Sequence, residues 1–434
     1  MEKFKKFGFV SLILLFVFSI VLTGCSSSTG SKVEKVGDSD KTSITIWHPM
    51  TGVQGEGIEA VTKYFEDKNP DIKVNLVYTP GHSDENKKLT AAIAGGEAPD
   101  VVWFDRFKIA QFANQEAFTD LTDMADRDGV KKEDFYADAW DEASYKERLF
   151  GIPTTADTRM LFYNKDIFKK AGLDPDNPPK TIDELTEAAD KLMIKEGDRF
   201  KQIGFVPWYG EADLMLWAIN FGGEMFDKNA GKLTANNPEF VTTLQWMVDF
   251  GEKYGVENFT SFQDFEIGGP QEPFIAENLA MFPSGNWTVS SIEKYKPNLN
   301  YGVTPMPNIT GENPKTMLGG WTWVIPKGAK HEEAAWEYIK FVTGPEASKM
   351  QIEVSNEFSS RPDVNIEVYS DDPIMKQFVE SLDHAIARPV TTQGQLFRNG
   401  QRNAVDQAIH GNGSPKELLD KYTDEFNKAL KRDQ

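Results

Sequence analysis

Trp208, Trp287 and Trp321 each sit among residues that favour turns. Trp208 lies between Pro207 and Tyr209-Gly210, Trp287 follows Ser284-Gly285-Asn286, and Trp321 follows Gly319-Gly320. Indoles in such loop-like settings, held by a rigid scaffold, are available for binding rather than for a core. A flat aromatic face suits the CH face of a sugar ring, and the hydroxyl rim of the same ring needs side chains that pair with adjacent oxygens. Carboxylates accept from two neighbouring hydroxyls and a guanidinium fork donates to two, which fixes orientation. Candidates for that work are His48, Asp105 and Arg106, each just after a strand-like stretch, and Asp157 and Arg159 in the segment Thr155 to Arg159. Each acid could equally be a helix cap or a surface ion-pair partner. The remaining tryptophans divide by context: Trp103, Trp140, Trp246 and Trp336 lie within strand or helix patterns and read as core, whereas Trp47, Trp217 and Trp323 stay open. Tyr209 is a weaker aromatic candidate, and His82, His331, His384 and His410 have no supporting context.

Elements that alternate between strand and helix must hold these groups. Ile44 to Trp47 reads as a strand, Ile58, Val61 and Phe65 recur at helical spacing, and Asn69-Pro70 ends that helix. Ile72 to Val77 is a second strand, Leu89 to Ala94 a helix stopped by Gly95-Gly96, and Asp100 to Phe104 a third strand. A βαβαβ run implies a mostly parallel sheet, whose ligands sit outside the carboxyl ends of the strands, just after Trp47 and Phe104. A second lobe starts after Phe150 to Pro153. It holds a strand at Met160 to Tyr163, a capping box at Thr181 to Glu184 opening a helix to about Ile194, and a hairpin tip at Asp227 to Leu233. Asn237-Pro238 and Ser414 to Glu417 open two further helices, and no internal repeat is present.

The N-terminal residues read as an export signal. Lys3, Lys5 and Lys6 precede an apolar run from Phe7 to Leu22, too short for a comfortable membrane span. Leu22 to Cys25 (LTGC) looks like the bacterial lipobox, which makes Cys25, the single cysteine of the chain, the acylated first residue after cleavage of residues 1–24. With one cysteine there is no intramolecular disulfide. Residues 25–41, rich in Ser, Gly, Lys and Asp, are a flexible tether with a reach of roughly 20 to 25 Å. The formal charge is -20, and loss of the leader removes three Lys and one Glu, making the chain more acidic still. Nucleic-acid binding is therefore not expected, and the acidity serves solubility. Apart from the leader no long apolar run occurs, and the length suits two or three domains.

A resemblance becomes specific further along. Leu161 to Phe168 (LFYNKDIF) resembles the YNKDLF signature of family-one extracellular solute-binding proteins of the maltodextrin-binding type, and three segments follow in the expected order: Asn220 to Glu224 (NFGGE), Ala280 to Trp287 (AMFPSGNW) and Gly319 to Lys330 (GGWTWVIPKGAK). With the lipobox, it spans nearly the whole chain. The resemblance implies a two-lobed α/β fold of the type II periplasmic-binding-protein kind, with a ligand cleft between hinge-connected lobes. Residues 42–152 plus 304–358 would form lobe I, and residues 153–303 plus 359–434 lobe II. It further implies a lipid-anchored protein outside the cell membrane, a monomer without cofactor or metal. That protein captures a sugar, an oligosaccharide in the first instance, and delivers it to the permease of an ABC transporter whose ATPase is a separate subunit. Trp287, Gly320 and Trp321 fall in motifs near the family's ligand. Arg361, in Phe358 to Pro362 (FSSRP), resembles a small-residue-Arg loop that can reach the cleft, although the family often has Pro-x-Arg there.

Enzyme readings find less support. No G-x-x-x-x-G-K-[ST] occurs, since Gly231-Lys232 is followed by Leu233, and neither H-E-x-x-H nor G-x-S-x-G is present. A secreted glycoside hydrolase remains the rival, because two carboxylates among 67 acidic residues suffice for it. A surface sensor or adhesin would use the same two-lobed fold for a protein ligand. Ferric-ion capture would need a Tyr pair clustered with His or Asp, which the sequence does not offer.

Overall fold

Strict alternation shapes the first sheet. In β1 (Thr42–His48) the side chains of Ile44, Ile46 and His48 are buried on one face, while Ser43, Thr45 and Trp47 point to the other. The computed structural model describes residues 41–80, 84–197, 199–227, 229–264 and 269–433. The export signal, Cys25 and all of the tether except Lys41 lie outside the described residues. β1 runs parallel to β2 (Ile72–Tyr78) and to β3 (Val101–Asp105). β3 is buried at every position, as a central strand covered on both faces must be. Val101 and Trp103 enter a core with Ile58, Val61, Phe65, Trp336 and Tyr338, whereas Val102 and Phe104 enter another with Phe112, Phe118 and Phe150.

The chain then adds β4 (Ile152–Pro153) and leaves for a second sheet, with β5 (Arg159–Asn164) at its centre between β6 (Met281–Gly285) and β7 (Tyr301–Thr304), all antiparallel. It returns as β8 (Trp321–Val324), which inserts between β3 and β4 and is antiparallel to both. The first sheet is thus mixed: β1 to β4 run in one direction, and β8 alone runs against them between β3 and β4. The βαβαβ reading could not show this, because the last strand comes from a distant segment.

β5 sorts its residues as β3 does. Leu161 and Tyr163 face a core built with helices Ile182–Leu192, Leu214–Asn220, Pro238–Tyr254, Gly394–Ile409 and Pro415–Leu430. Met160 and Phe162 face a core with helices Trp287–Tyr295, Pro362–Tyr369 and Met375–Leu382. The capping boxes at Thr181 and Ser414 form, each side chain accepting from the Glu backbone N–H three residues on. The hairpin around residues 227–233 is present as Phe226–Asp227 paired with Lys232–Leu233. On the first sheet, helix Gly52–Lys68 packs against Glu332–Val342 and Pro345–Ser355.

The molecule is therefore two-lobed, one sheet to each lobe, and the chain passes between them more than once. The crossing segments hold one another: Thr155 bridges Ser359, Asp157 bridges Gly319, and Thr316–Met317 runs parallel to Ala385–Ile386. No helix among the described residues is long and apolar enough to cross a membrane.

Candidate ligand-binding cleft

Between the two sheets lies a cleft of about 930 Å³, near the upper end of the usual size for small-molecule sites. Strand register gathers its first wall. Asp105, the last residue of β3, stands opposite Trp321, the first residue of β8, so both project from the sheet edge where the strand-end rule places a ligand. Gly320 allows the close approach before β8. Its φ is +132°, and a Cβ there would lie 2.1 Å from the Thr155 carbonyl oxygen, so no side chain fits. The opposite wall is built on β5 and β6, where Arg159 is paired with Gly285. The Trp287 indole folds back over that glycine, since a Cβ at Gly285 would meet the ring at 2.1 Å. The Arg159 guanidinium lies over the same indole at 5.3 Å.

Of the residues singled out from the sequence, the cleft brings together Trp208, Trp287, Trp321, Asp105, Asp157, Arg159 and Gly320. All three tryptophans are half-buried. Their settings are not all loops: Trp287 opens a helix and Trp321 opens a strand, and only Trp208 keeps an irregular backbone, wedged edge-on against Phe250 and Phe259. Trp103, Trp336, Trp217 and Trp323 are fully buried. Trp140 and Trp246 are partly buried against the cores, and Trp47 lies under the Lys88 ammonium at 4.3 Å.

Three candidates do not line the cleft. His48 shares the buried face of β1 with Ile44 and Ile46, and burial holds its imidazole below the usual range, hence neutral. Arg106 is fully buried and its guanidinium is spent on protein groups: Nε donates to Glu142 at 3.0 Å, Nη1 to the Thr155 carbonyl at 2.7 Å, and Nη2 to the Gly319 carbonyl at 2.6 Å. It pins the crossing segments instead of greeting a ligand. Arg361 lies over the Phe135 ring at 5.1 Å, on the first-lobe core. Its guanidinium stands 3.9 Å from Asp134 and 3.8 Å from Asp363, neither of which lines the cleft.

Behind Asp105 runs a chain of alternating charges. Glu142 accepts from Arg106 Nε at 3.0 Å and from Arg388 Nε and Nη2, each at 3.0 Å. Arg388 Nη1 stands 3.6 Å from Asp105, which also accepts from Arg398 Nη2 at 2.8 Å. Burial pushes the Asp105 carboxyl up, but the charges of Arg398 and Arg388 outweigh it and hold the group well below the usual carboxylate range. Asp157 is likewise paired, with Arg159.

Several lining residues escaped the sequence reading. Arg398, Gln401, Arg402, Val405, Asp406 and Ile409 line the cleft from one helix. Their i, i+3, i+4, i+7 spacing was a signal, a mainly polar stripe at helical period in a segment to which the sequence reading assigned no element. Gln54, Asn286 and Glu357 gave no such signal, because tertiary crossings alone bring them to the cleft. Among the described residues no group of His, Cys, Asp and Glu is arranged to hold a metal ion.

Comparison with known proteins bears on what such a cleft takes. The family described as bacterial extracellular solute-binding protein matches residues 51–349. The arabinooligosaccharide-binding protein of Bacillus subtilis (strain 168) is 28% identical over 366 residues, 80% of this chain and 78% of the relative. Among solved structures, mannotriose-bound CpMnBP1 superposes with a TM-score of 0.81 at 28% identity, covering 89% of this chain and all of that one. A solute-binding protein of an ABC transporter from Thermotoga lettingae, bound with alpha-D-tagatose, gives 0.80 at 26% identity, covering 90% and 100%.

Proposed function

Since the chain belongs to the family of bacterial extracellular solute-binding proteins, we propose that its cleft captures a carbohydrate, an oligosaccharide rather than a single ring, for import by an ABC transporter. The observation that carries this reading is the composition of the cleft: three half-buried indoles, from both walls, interleaved with carboxylates and guanidinium groups that can pair with hydroxyls. Trp321, Trp287 and Trp208 stack on sugar rings, and Asp157, Arg159 and Asp105 orient them. The volume of about 930 Å³ has room for more than one ring. The relatives that carry arabinooligosaccharide and mannotriose support the same class of ligand.

In this reading residues 42–152 with 304–358 form one lobe, residues 153–303 with 359–434 the other, and the sugar closes them because it touches both walls. Binding to one wall alone would leave the balance of open and closed forms unchanged. The closed monomer docks on permease subunits driven by a separate ATPase, and acylation of Cys25 keeps it at the outer face of the membrane. The protein binds its sugar without turning it over.

Thermal unfolding of the full chain, purified in detergent, against neutral and acidic mono- and oligosaccharides tests this. A ligand at a hundred times its dissociation constant adds about 2.7 kcal/mol, enough to raise the midpoint visibly. Trp321→Ala and Trp287→Ala should each abolish most of that rise while keeping the unliganded midpoint near wild type. Sugar cleavage on long incubation would replace transport by hydrolysis, and an unmoved midpoint with every sugar would remove the carbohydrate.

A further inference from the structure

Buried polar atoms in folded proteins almost always find a partner, and an orphan costs about 1 to 3 kcal/mol. Three side chains lining the cleft break that rule together. Arg159 Nε, Asn286 Oδ1 and Glu357 Oε2 are buried and make no hydrogen bond. Their residues are 9%, 1% and 5% exposed. They are neighbours: Asn286 Nδ2 donates at 3.3 Å to the Asn356 carbonyl, one residue before Glu357, and Arg159 lies over Trp287, one residue after Asn286. The other oxygen of Glu357 accepts from Gln54 Nε2 at 3.0 Å, and the Gln351 side chain, whose buried Nε2 makes no hydrogen bond of its own, stands close to the same carboxyl.

We propose that Glu357, with Asn286 and Arg159, forms a polar subsite beside Trp287 that hydrogen-bonds the hydroxyl-bearing edge of one sugar ring. This inference rests on the carbohydrate reading of the cleft. Arg159 Nε–H is a donor and Asn286 Oδ1 an acceptor, the complement of a hydroxyl, which both gives and takes. The character of Glu357 is set by what surrounds it: Asp157 from the crossing segment, Gln54 from helix Gly52–Lys68, Gln351 from helix Pro345–Ser355 and Tyr369 from helix Pro362–Tyr369. No guanidinium or ammonium pairs with it among the described residues. Burial first, and the Asp157 charge second, push its carboxyl up to about 8. At neutral pH it is therefore a carboxylic acid, and Oε2 carries the proton it can give to a ligand oxygen. As pH rises through about 8 the donor is lost and a bare buried carboxylate replaces it.

Infrared difference spectroscopy of the full chain, wild type against Glu357→Gln, reads the protonation state without any ligand. One carboxylic-acid C=O band should be present in wild type at about pH 7, vanish by about pH 9.5, and be missing from the variant. Calorimetric titration with mannotriose, maltotriose and arabinotriose then reads the contact. Wild-type affinity for the sugar that binds should fall tenfold or more between about pH 6.5 and 9.5, and that fall should be absent in Glu357→Gln. Asn286→Ala should weaken the same sugar about tenfold at either pH, and its unliganded unfolding midpoint, read alongside, separates loss of the contact from loss of the fold. A missing band at neutral pH, or equal pH slopes for wild type and Glu357→Gln, overturns the assignment of Glu357. If no trisaccharide binds wild type at any pH, the carbohydrate reading fails and the subsite with it, and the infrared band shows which of the two premises was wrong.

Discussion

Two polar clusters meet in the same cleft and are built on opposite plans. Around Glu142 every charge has a counter-charge: Arg106 and Arg388 flank it, Arg388 continues to Asp105, and Arg398 closes the series. Around Glu357 the partners run out, leaving Glu357 Oε2, Asn286 Oδ1 and Arg159 Nε with nothing to bond. Burial is comparable, since Glu142 is 3% and Glu357 5% exposed. Satisfaction, not burial, separates them. A saturated cluster holds the crossing segments in register and brings Asp105 to the cleft with its charge already balanced; an unsaturated one gives up stability in the empty protein and recovers it when hydroxyls arrive.

The largest effect should come from breaking the saturated side. Glu142→Gln leaves two buried guanidinium groups without their shared carboxylate and should cost about 3 to 5 kcal/mol in urea unfolding. A loss below about 1 kcal/mol would show that the network is not a structural pin. On the unsaturated side the sign is different. Because the folded Glu357 carboxyl sits above its unfolded value, wild-type stability should decline as pH climbs from about 4.5 to about 8 and level off beyond. Glu357→Gln should therefore gain on wild type over that window by about 1 to 3 kcal/mol, with the two converging in acid; denaturant midpoints at several pH values read this.

Arg398→Gln removes one of the two arginines on Asp105 and, at a partly exposed site, should cost about 1 kcal/mol at neutral pH. Asp105 is held below its ordinary value, so its contribution is present above about pH 4 and lost on acidification. The Arg398→Gln deficit should accordingly shrink toward acid, opposite in direction to Glu357→Gln. The smallest effect belongs to an exposed pair outside both clusters. Lys416→Ala breaks a helical ion pair with Asp420 and should change stability by no more than about 0.5 kcal/mol.

Local pattern carried much of the fold into the sequence. Alternation at Ile44 and Ile46, helical spacing at Ile58, Val61 and Phe65, and the capping boxes at Thr181 and Ser414 all correspond to elements found where the residues place them. Pairing between distant segments was not legible. Nothing in Trp321 to Val324 announces that it slots between β3 and β4, and nothing in the run around residue 160 says that its sheet is antiparallel. The site followed the same division. Asp105 was visible because a strand end is a local signal, and Trp287 and Trp321 because glycine-rich flanks are too. Glu357 and Asn286 were invisible, since their meaning lies in the partners they lack. Arg106 was misread for the complementary reason: an arginine after a strand looks free until three segments, at Glu142, Thr155 and Gly319 to Trp321, are seen to converge on it.

The late return of β8 has a consequence for biogenesis. Until residues 321–324 have been synthesised, β3 has a naked edge where its final neighbour will be, and that strand, Val101 to Asp105, is among the most apolar in the chain. The first lobe cannot finish folding before residues 153–303 of the second have been made, so closure of a very long loop becomes a late, slow step. A nascent chain in that state exposes a flat hydrophobic strand to its neighbours. Truncation just before residue 321 should thus yield an aggregating product, and extension through helix Pro345–Ser355 a soluble first lobe that has its whole sheet.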